Sequence, residues 1–174
     1  ILVGEIRDRE TADLAIQAAL TGHLVFSTLH TNDASGALPR LLDMGAEPYL
    51  LASSMTAILA QRVVRKIHED CKIDYVPPPP ELEEMRNVLG TLWPSDKNEV
   101  KLFKGKGDKD CNNTGYRGRI GVFEVLPVTE KISRLILEHY SAADIQKQAR
   151  EEGMIAMKQD GYLKVLEGIT TVEE

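Results

Sequence analysis

The first 34 residues, ILVGEIRDRETADLAIQAALTGHLVFSTLHTNDA, contain the pattern that decides the fold. Residues 1–6 form a short apolar run broken by a glycine and a glutamate, which is typical of a strand buried on both faces. Residues 8–20 carry small apolar side chains at helical spacing and predict a helix. Residues 23–29 are rich in residues that favour strands, so they predict a second strand.

A second helix is predicted to follow the second strand. Asn32 and Asp33 offer N-caps, the apolar residues extend through Leu42, and Gly45 provides a signal for the end. Pro39 lies inside this segment and should kink or shorten the helix. Strand, helix, strand and helix within about 45 residues predict an α/β fold with a parallel sheet and right-handed crossovers.

The second part of the chain has a different pattern. Pro48 begins a predicted long helix that ends near Ile67, and four prolines at residues 77–80 predict a stiff extended spacer. A short helix is predicted over residues 81–89, and residues 116–126 predict a strand or hairpin. Three helices are predicted to close the chain, with boundaries marked by Thr129, by Ser141 with Asp144, by Gly153 and by Gly168.

Composition and charge restrict the class of protein. The 174 residues are 43% hydrophobic and 28% charged, which is ordinary for one globular domain with at most a small appendage. With 21 Lys and Arg against 27 Asp and Glu, the net charge is −6, which argues against a surface that binds nucleic acid. Two cysteines are too few for a disulfide scaffold, so we expect a reducing compartment.

Hydropathy gives no sign of a membrane or secretion signal. No apolar stretch approaches the roughly 18 residues needed to span a bilayer, and the N-terminus lacks the basic region of a signal peptide. The sequence begins inside a predicted buried strand, at Ile1, Leu2 and Val3. We therefore expect it to be a piece of a longer chain.

Glu5 is the first residue with a chemical implication. A carboxylate at the end of an apolar strand is costly to bury unless it binds a cation or polarises a water. In P-loop nucleotidases an acid at the tip of such a strand handles magnesium or its water, and Gly4 would let the backbone approach that site. The alternative is a strand-end glutamate at the solvent edge, paired with Arg7 or Arg9.

His30 ends the second predicted strand, inside a run of polar residues. In an open parallel sheet, ligands bind beyond the carboxyl ends of the strands. Glu5 and His30 are therefore expected at the same edge, where the γ-phosphate of a nucleotide would lie. The alternative is a histidine that only forms hydrogen bonds within a turn.

Two residue pairs have the spacing of a metal knuckle. His68 precedes Cys71 by three residues, and Asp108 precedes Cys111 by the same interval. All three residue types are acceptable zinc ligands, so the two pairs could form a tetrahedral site. The alternative is a charged loop without metal that contains two free thiols.

The chain resembles the bacterial secretion ATPases. Residues 1–34 resemble the Walker B and histidine-box region, and the later segments of the family follow in order. Within this superfamily the chain resembles the type IV pilus assembly (extension) ATPases and the closely related type II secretion ATPases. The later matching segments are RLLDMGAEPYLLASS, the LAQRVVRK segment of the predicted long helix, TGYRGRIGVFEVLPV and DGYLKVLEGITTVEE.

The resemblance implies a RecA-like P-loop domain that uses ATP and Mg²⁺ in a ring-shaped homo-hexamer. Glu5 then matches the Walker B glutamate, close to magnesium and to the water that attacks the γ-phosphate. His30 matches the histidine-box residue that contacts or senses the γ-phosphate. The supporting cofactor-binding positions are Gly4, Arg7, Asp8 and Thr28.

The resemblance also implies an organisation and a cellular setting. Residues 1–68 would be the C-terminal half of the RecA-like core, residues 69–115 an insertion, and residues 116–174 a strand with a helical subdomain. The motor would be cytoplasmic, at the inner face of the bacterial inner membrane. It would act on an inner-membrane platform protein that adds pilins or pseudopilins.

The sequence departs from the family pattern in two ways. No GxxxxGK[ST] phosphate loop occurs, nor do the upstream acidic box and the arginines that reach across subunits, so this segment alone is expected to be inactive. The family's tetracysteine positions correspond to His68, Cys71, Asp108 and Cys111, so the mixed set could hold Zn²⁺ or the site could be degenerate.

Alternatives to a pilus assembly ATPase remain open. Retraction ATPases lack the insertion, so its presence favours pilus extension or type II secretion. A non-catalytic docking domain is a different class of function, and it predicts a parent chain without any phosphate loop. A nucleic-acid motor is compatible with the fold but disfavoured by the net charge.

Overall fold

A computed structural model describes residues 1–94 and 100–174. In these residues α-helices and β-strands are both present, with short 3₁₀ turns at Glu69–Cys71 and Gly90–Leu92. The helices are α1 (Arg9–Leu20), α2 (Ala37–Asp43), α3 (Pro48–Ser54), α4 (Pro79–Leu89), α5 (Glu130–Leu137), α6 (Ala142–Glu151) and α7 (Met157–Leu166). The strands are β1 (Ala57–Ile67), β2 (Lys72–Tyr75), β3 (Leu102–Gly105) and β4 (Tyr116–Pro127).

The two N-terminal segments pair in parallel, as predicted, but through an isolated bridge, so neither predicted strand forms as a full strand in the described residues. Leu2 and Phe26 form a parallel bridge, and the Val3 N–H donates to the Phe26 carbonyl at 2.8 Å. The prediction of burial on both faces is wrong, because Leu2 is 82% and Phe26 is 60% exposed. A strand is buried on both faces only where other elements cover both, and the described part of the chain leaves these side chains uncovered.

The helix that contains Pro39 is short, as its proline predicts. Helix α2 has seven residues. The Asp33 side chain stabilises the turn that precedes α2 by accepting the Gly36 N–H at 2.7 Å. Pro39 lies in the first turn of α2, where the missing N–H would have no partner within the helix.

The prediction of one long helix from Pro48 to Ile67 is wrong. Helix α3 ends at Ser54, and residues 57–67 form strand β1, which pairs with β4. The segment contains good helix formers such as Leu59 and Gln61, but strand pairing with β4 overrides this weak local preference.

The proline spacer is confirmed only in its first part. Pro78 is extended, but Pro79 and Pro80 begin helix α4, because proline fits the first turn of a helix. Strands β2 and β3, which the sequence did not predict, pair antiparallel. Residues 95–99 of the predicted insertion lie outside the described residues.

The closing strand and helices agree with their sequence signals. β4 covers the predicted strand. Thr129 accepts the Ile132 N–H at the start of α5. Ser141 and Asp144 form a complete capping box at the start of α6.

The chain divides into two compact units. Unit 1 contains residues 1–60 and 124–155, and unit 2 contains residues 61–123 and 156–174. Each unit has its own apolar core, and both units are discontinuous in sequence. The division into residues 1–68, 69–115 and 116–174 remains a prediction. Fully buried side chains include Leu38, Leu51, Leu126, Ile132 and Ile136 in unit 1 and Met85, Leu89 and Leu102 in unit 2. Within the described residues, no helix has both the length and the apolar character needed to cross a membrane.

Candidate functional site

Glu5 and His30 meet at one edge of the parallel pair, as predicted. Glu5 lies between Val3 and Ile6, whose N–H groups donate to the Phe26 and Thr28 carbonyls at 2.8 and 2.9 Å, and His30 follows Thr28 by two residues. The Glu5 Oε2 atom lies 3.1 Å from His30 Nε2. The alternative interpretation of Glu5 predicts an ion pair with Arg7 or Arg9. An ion pair with Arg7 is also present, because Arg7 binds the other carboxylate oxygen of Glu5 at 2.6 Å.

The Glu5 carboxylate is held in its ionised form. The hydrogen bond from Arg7 lowers the pKa of Glu5 below its usual value, and His30 adds to this effect while partial desolvation opposes it. The His30 side chain is 86% exposed and that of Glu5 is 32% exposed. A ligand at this edge can therefore reach both groups.

Thr28 and Asp8 form hydrogen bonds to the backbone, unlike Glu5 and His30, whose side chains contact each other. The Thr28 hydroxyl donates to the Gly4 carbonyl at 2.7 Å, which ties the strand end that carries Glu5 to the neighbouring segment. Asp8 is the N-cap of α1 and accepts the Thr11 N–H at 2.8 Å, a bond that lowers the pKa of Asp8. Asp8 thus fixes where α1 begins.

The arrangement fits the binding of a nucleotide with magnesium. An ionised carboxylate can accept a proton or a hydrogen bond from a metal-bound water, and an imidazole can donate to a phosphate oxygen. Nucleotide hydrolysis requires groups with these abilities beside the γ-phosphate.

The sequence analysis missed Glu124 near this site. Its side chain is 2% exposed, and its Oε1 atom accepts the Ala34 N–H at 3.0 Å. The signal was present in the alternation of β4, where Val122, Glu124 and Leu126 face inward while Phe123 and Val125 face out. Charged side chains are rarely buried, so a glutamate at an inward position of a strand could have been identified as a candidate functional residue from the sequence.

The four predicted metal ligands come together in unit 2. The ligand atoms of His68, Cys71, Asp108 and Cys111 all lie within 4.8 Å of one another. His68 and both cysteines are buried, and no other group of three or more potential ligands occurs in the described residues.

The His68 ring nitrogen supports a metal ligand role. Nδ1 is buried and has no hydrogen-bond partner among the described residues, although Asp108 Oδ2 lies 2.9 Å away. A buried ring nitrogen that forms no hydrogen bond destabilises the folded protein, unless a metal cation binds it. A cation bound by both atoms would satisfy them together.

Backbone N–H groups already surround one of the sulfurs. Asp108 and Gly115 donate their N–H groups to the Cys111 Sγ atom at 3.2 and 3.3 Å. The Cys111 N–H in turn donates to Asp108 Oδ1 and is the main cause that lowers the pKa of Asp108. Burial raises the pKa of Cys71, and the neighbouring Cys111 and Asp108 contribute, so the thiolate needs a nearby cation.

The chain matches one protein family and several characterised relatives. The family model described as "Type II/IV secretion system protein" matches residues 1–174. The chain is 46% identical over 174 residues to Type IV pilus assembly ATPase PilB of Thermus thermophilus, covering 100% of this chain and 19% of that protein. It is also 46% identical to Type II secretion system protein E of Pseudomonas aeruginosa, covering 100% of this chain and 33% of that protein.

Solved structures show the same α/β fold. The crystal structure of the pilus retraction motor PilT with bound ADP has a TM-score of 0.62 at 26% identity, covering 99% of this chain and 37% of that one. The Legionella pneumophila ATPase DotB has a TM-score of 0.62 at 21% identity, covering 99% of this chain and 36% of that one, and shows the fold alone. The chain spans 19% and 33% of the length of the two curated relatives above.

Proposed function

Because this chain belongs to the family of type II/IV secretion system proteins, we propose that it is part of a motor that hydrolyses ATP to drive pilin polymerisation. The resemblance to pilus assembly and type II secretion ATPases is confirmed. Type II secretion, with assembly of a pseudopilus, is equally consistent with these relatives. Gene neighbours that encode a retraction ATPase would favour the pilus.

One observation carries the assignment to ATP chemistry. The Glu5 carboxylate and the His30 imidazole lie 3.1 Å apart at the open edge of the parallel pair. In the proposed motor Glu5 accepts a hydrogen bond or proton from the attacking water, and His30 donates to the γ-phosphate. Bound Mg²⁺ would supply charge stabilisation at the phosphates.

The supporting residues hold the same edge together. Thr28 ties the Gly4 carbonyl in place, and Arg7 keeps the Glu5 carboxylate ionised. Asp8 determines where α1 begins. Gly4, Arg7, Asp8 and Thr28 thus act on the position and charge of Glu5, while the phosphate loop would come from another part of the parent chain.

The organisation of the parent protein is part of the proposal. Residues 1–68 would complete a RecA-like core, residues 69–115 an insertion, and residues 116–174 a strand with a helical subdomain. We propose a cytoplasmic homo-hexamer at the inner membrane whose subunit movements act on a platform protein, without a role for nucleic acid. A docking domain without catalysis is the alternative.

Glu5→Gln in the full parent chain tests the catalytic assignment. The substitution keeps the shape of the side chain but removes its charge, so we expect kcat for ATP hydrolysis to fall at least about a hundredfold. Nucleotide affinity should stay within about threefold of the wild type. Steady-state turnover and nucleotide titration measure the two quantities.

The matched control is Glu10→Gln. Glu10 is an exposed acid in the first turn of α1, five residues from Glu5, and its neutralisation should leave kcat unchanged. Unchanged turnover in Glu5→Gln would overturn the role of Glu5. No turnover in an assembled wild-type parent chain, with and without its membrane partner, would favour the docking domain.

We also propose a structural zinc site in unit 2. The buried Nδ1 atom of His68 without a hydrogen bond is the observation that favours it. The donor set of one nitrogen, two sulfurs and one carboxylate oxygen is acceptable for tetrahedral zinc, whose bonds are about 2.0–2.3 Å long. Bound zinc would favour both thiolates and stabilise the loop that carries Asp108 and Cys111.

Elemental analysis of the purified parent protein tests the metal site. We expect about one zinc per chain, and less than about a tenth in a Cys71→Ser, Cys111→Ser variant, because serine is a poor zinc ligand. His23→Ala, which changes a histidine outside the cluster, should retain the full equivalent. Less than about a tenth of an equivalent in the wild type would contradict a zinc site.

A further inference from the structure

A buried acid lies behind the segment that follows His30. Glu124 occupies an inward position of β4 between Val122 and Leu126, and its side chain is 2% exposed. A valine or leucine would fill an inward position without the desolvation cost of a carboxylate. The contacts of Glu124 should therefore explain why a carboxylate is buried at this position.

Glu124 contacts the turn between His30 and α2. Its Oε1 atom accepts the N–H of Ala34 at 3.0 Å, and Ala34 is fully buried. Ala34 follows His30 by four residues in sequence but is separated from Glu124 by 90. Glu124 thus fixes this turn from a distant part of the chain.

The same turn is also held by local bonds. The Thr31 hydroxyl donates to the Asp33 carbonyl at 3.0 Å, and Asp33 Oδ1 accepts the Gly36 N–H at 2.7 Å. Such local bonds set the shape of the turn, but they do not set its position relative to the rest of unit 1. The long-range bond from Glu124 does so, together with the packing of Ala34 in the core of unit 1.

The position of the His30 imidazole depends on this backbone. The imidazole is 86% exposed, so packing does little to hold it. Its place near Glu5 follows instead from where its backbone lies. A shift of about 1 Å in a reacting group can lower a rate up to a hundredfold.

We propose that Glu124 is a positioning residue that holds the His30 turn so that the imidazole faces the Glu5 carboxylate. This inference rests on the proposed ATP hydrolysis, because it assigns Glu124 an effect through His30. Glu124 does not itself contact the reacting atoms.

Two variants of the full parent chain separate the hydrogen bond from packing. Glu124→Met keeps a long side chain but replaces the carboxylate with a thioether, which is only a weak acceptor for the Ala34 N–H, and we expect kcat to fall about tenfold. Affinity for ADP should stay within about twofold, because ADP lacks the γ-phosphate. Glu124→Gln retains an acceptor oxygen, so kcat should stay within about twofold of the wild type.

Asp160→Ala is the matched control. Asp160 Oδ2 accepts the N–H of Phe123 at 2.8 Å, so this carboxylate also binds a backbone N–H at β4, one residue before Glu124. Its removal should lower the melting temperature without changing kcat below that temperature. If kcat falls in Asp160→Ala as much as in Glu124→Met, a general loss of structure is the cause and the proposal is wrong.

A double-mutant cycle with His30→Ala gives the decisive result. If Glu124 acts through His30, Glu124→Met should cause no further loss of kcat in the His30→Ala background. Losses that multiply would overturn the proposal, as would an unchanged kcat in Glu124→Met. If His30→Ala itself leaves kcat unchanged, the role of His30 fails and the proposal for Glu124 fails with it, although ATP hydrolysis stands. If the wild type has no turnover, the proposed function fails, which separates the two failures.

Should Glu124→Met fail to fold, Glu124→Gln decides alone. A tenfold loss in a Gln variant with an unchanged melting temperature overturns the hydrogen-bond argument.

Discussion

Gly105 and Gly115 lie close together in the part of unit 2 that contains the cysteine loop. A Cβ atom on Gly115 would lie 2.6 Å from the Gly105 carbonyl oxygen, and Gly115 has a φ of +78°. Its carbonyl accepts the His68 N–H, and its own N–H donates to Cys111 Sγ. A glycine is required here both by its backbone angle and by the space available.

Gly115→Ala should therefore destabilise the protein strongly. We expect the free energy of unfolding to fall by about 3 kcal/mol or more, because backbone strain and a backbone clash act together. The measurement is chemical denaturation followed by circular dichroism.

Gly118→Ala is the control for the backbone angle alone. Gly118 also has a positive φ, of +82°, but no atom lies within 4 Å of the position that a Cβ atom would take there. We expect a loss of about 1 kcal/mol. Equal losses in the two variants would show that close approach at Gly115 has no consequence.

Helices α4 and α7 pack together in unit 2 through polar contacts as well as apolar ones. Glu84 on α4 accepts hydrogen bonds from Lys158 at 2.7 Å and from Tyr162 at 3.0 Å, both on α7. Gln159 also donates to the Val88 carbonyl at 2.9 Å. These bonds fix the contact between two elements that are distant in sequence.

The contribution of Glu84 should depend on pH. Lys158, and then Tyr162, lower the pKa of Glu84 below its usual value of 4.5, so the folded protein favours the ionised carboxylate. Its stabilising contribution is present above pH 4.5 and is lost as the pH falls through the folded pKa. The melting temperature of the wild type should exceed that of Glu84→Gln at about pH 7, and the difference should shrink as the carboxylate is protonated.

Glu83→Gln is the control for this prediction. Glu83 is the exposed neighbour of Glu84 on α4, and we expect its substitution to leave the pH dependence unchanged. Because the Glu84 side chain is exposed, the effect should be small and should weaken with added salt. A difference that stays constant from about pH 7 to about pH 3 would contradict the role of Glu84.

At the scale of the whole molecule, each candidate site belongs to one compact unit. The edge with Glu5 and His30, and the Glu124 contact behind it, lie within unit 1. The cluster that includes His68 and Cys111 lies within unit 2.

The sequence by itself determined the features that depend on local chemistry or on the geometry of parallel strands. Caps at Thr129 and at Ser141 were predictable because a side chain satisfies backbone groups within three residues. The parallel pairing and the meeting of Glu5 with His30 were predictable because the carboxyl ends of parallel strands share an edge. The proposed roles of these two residues still await the turnover measurement.

Only the tertiary structure decided the features that depend on distant partners. Residues 57–67 became a strand because β4 pairs with them, against a local preference for helix. Glu124 binds Ala34 across 90 residues, a contact that the sequence analysis did not predict. Local patterns set the energies of neighbours along the chain, whereas pairing, burial and long-range hydrogen bonds are fixed only when the chain folds.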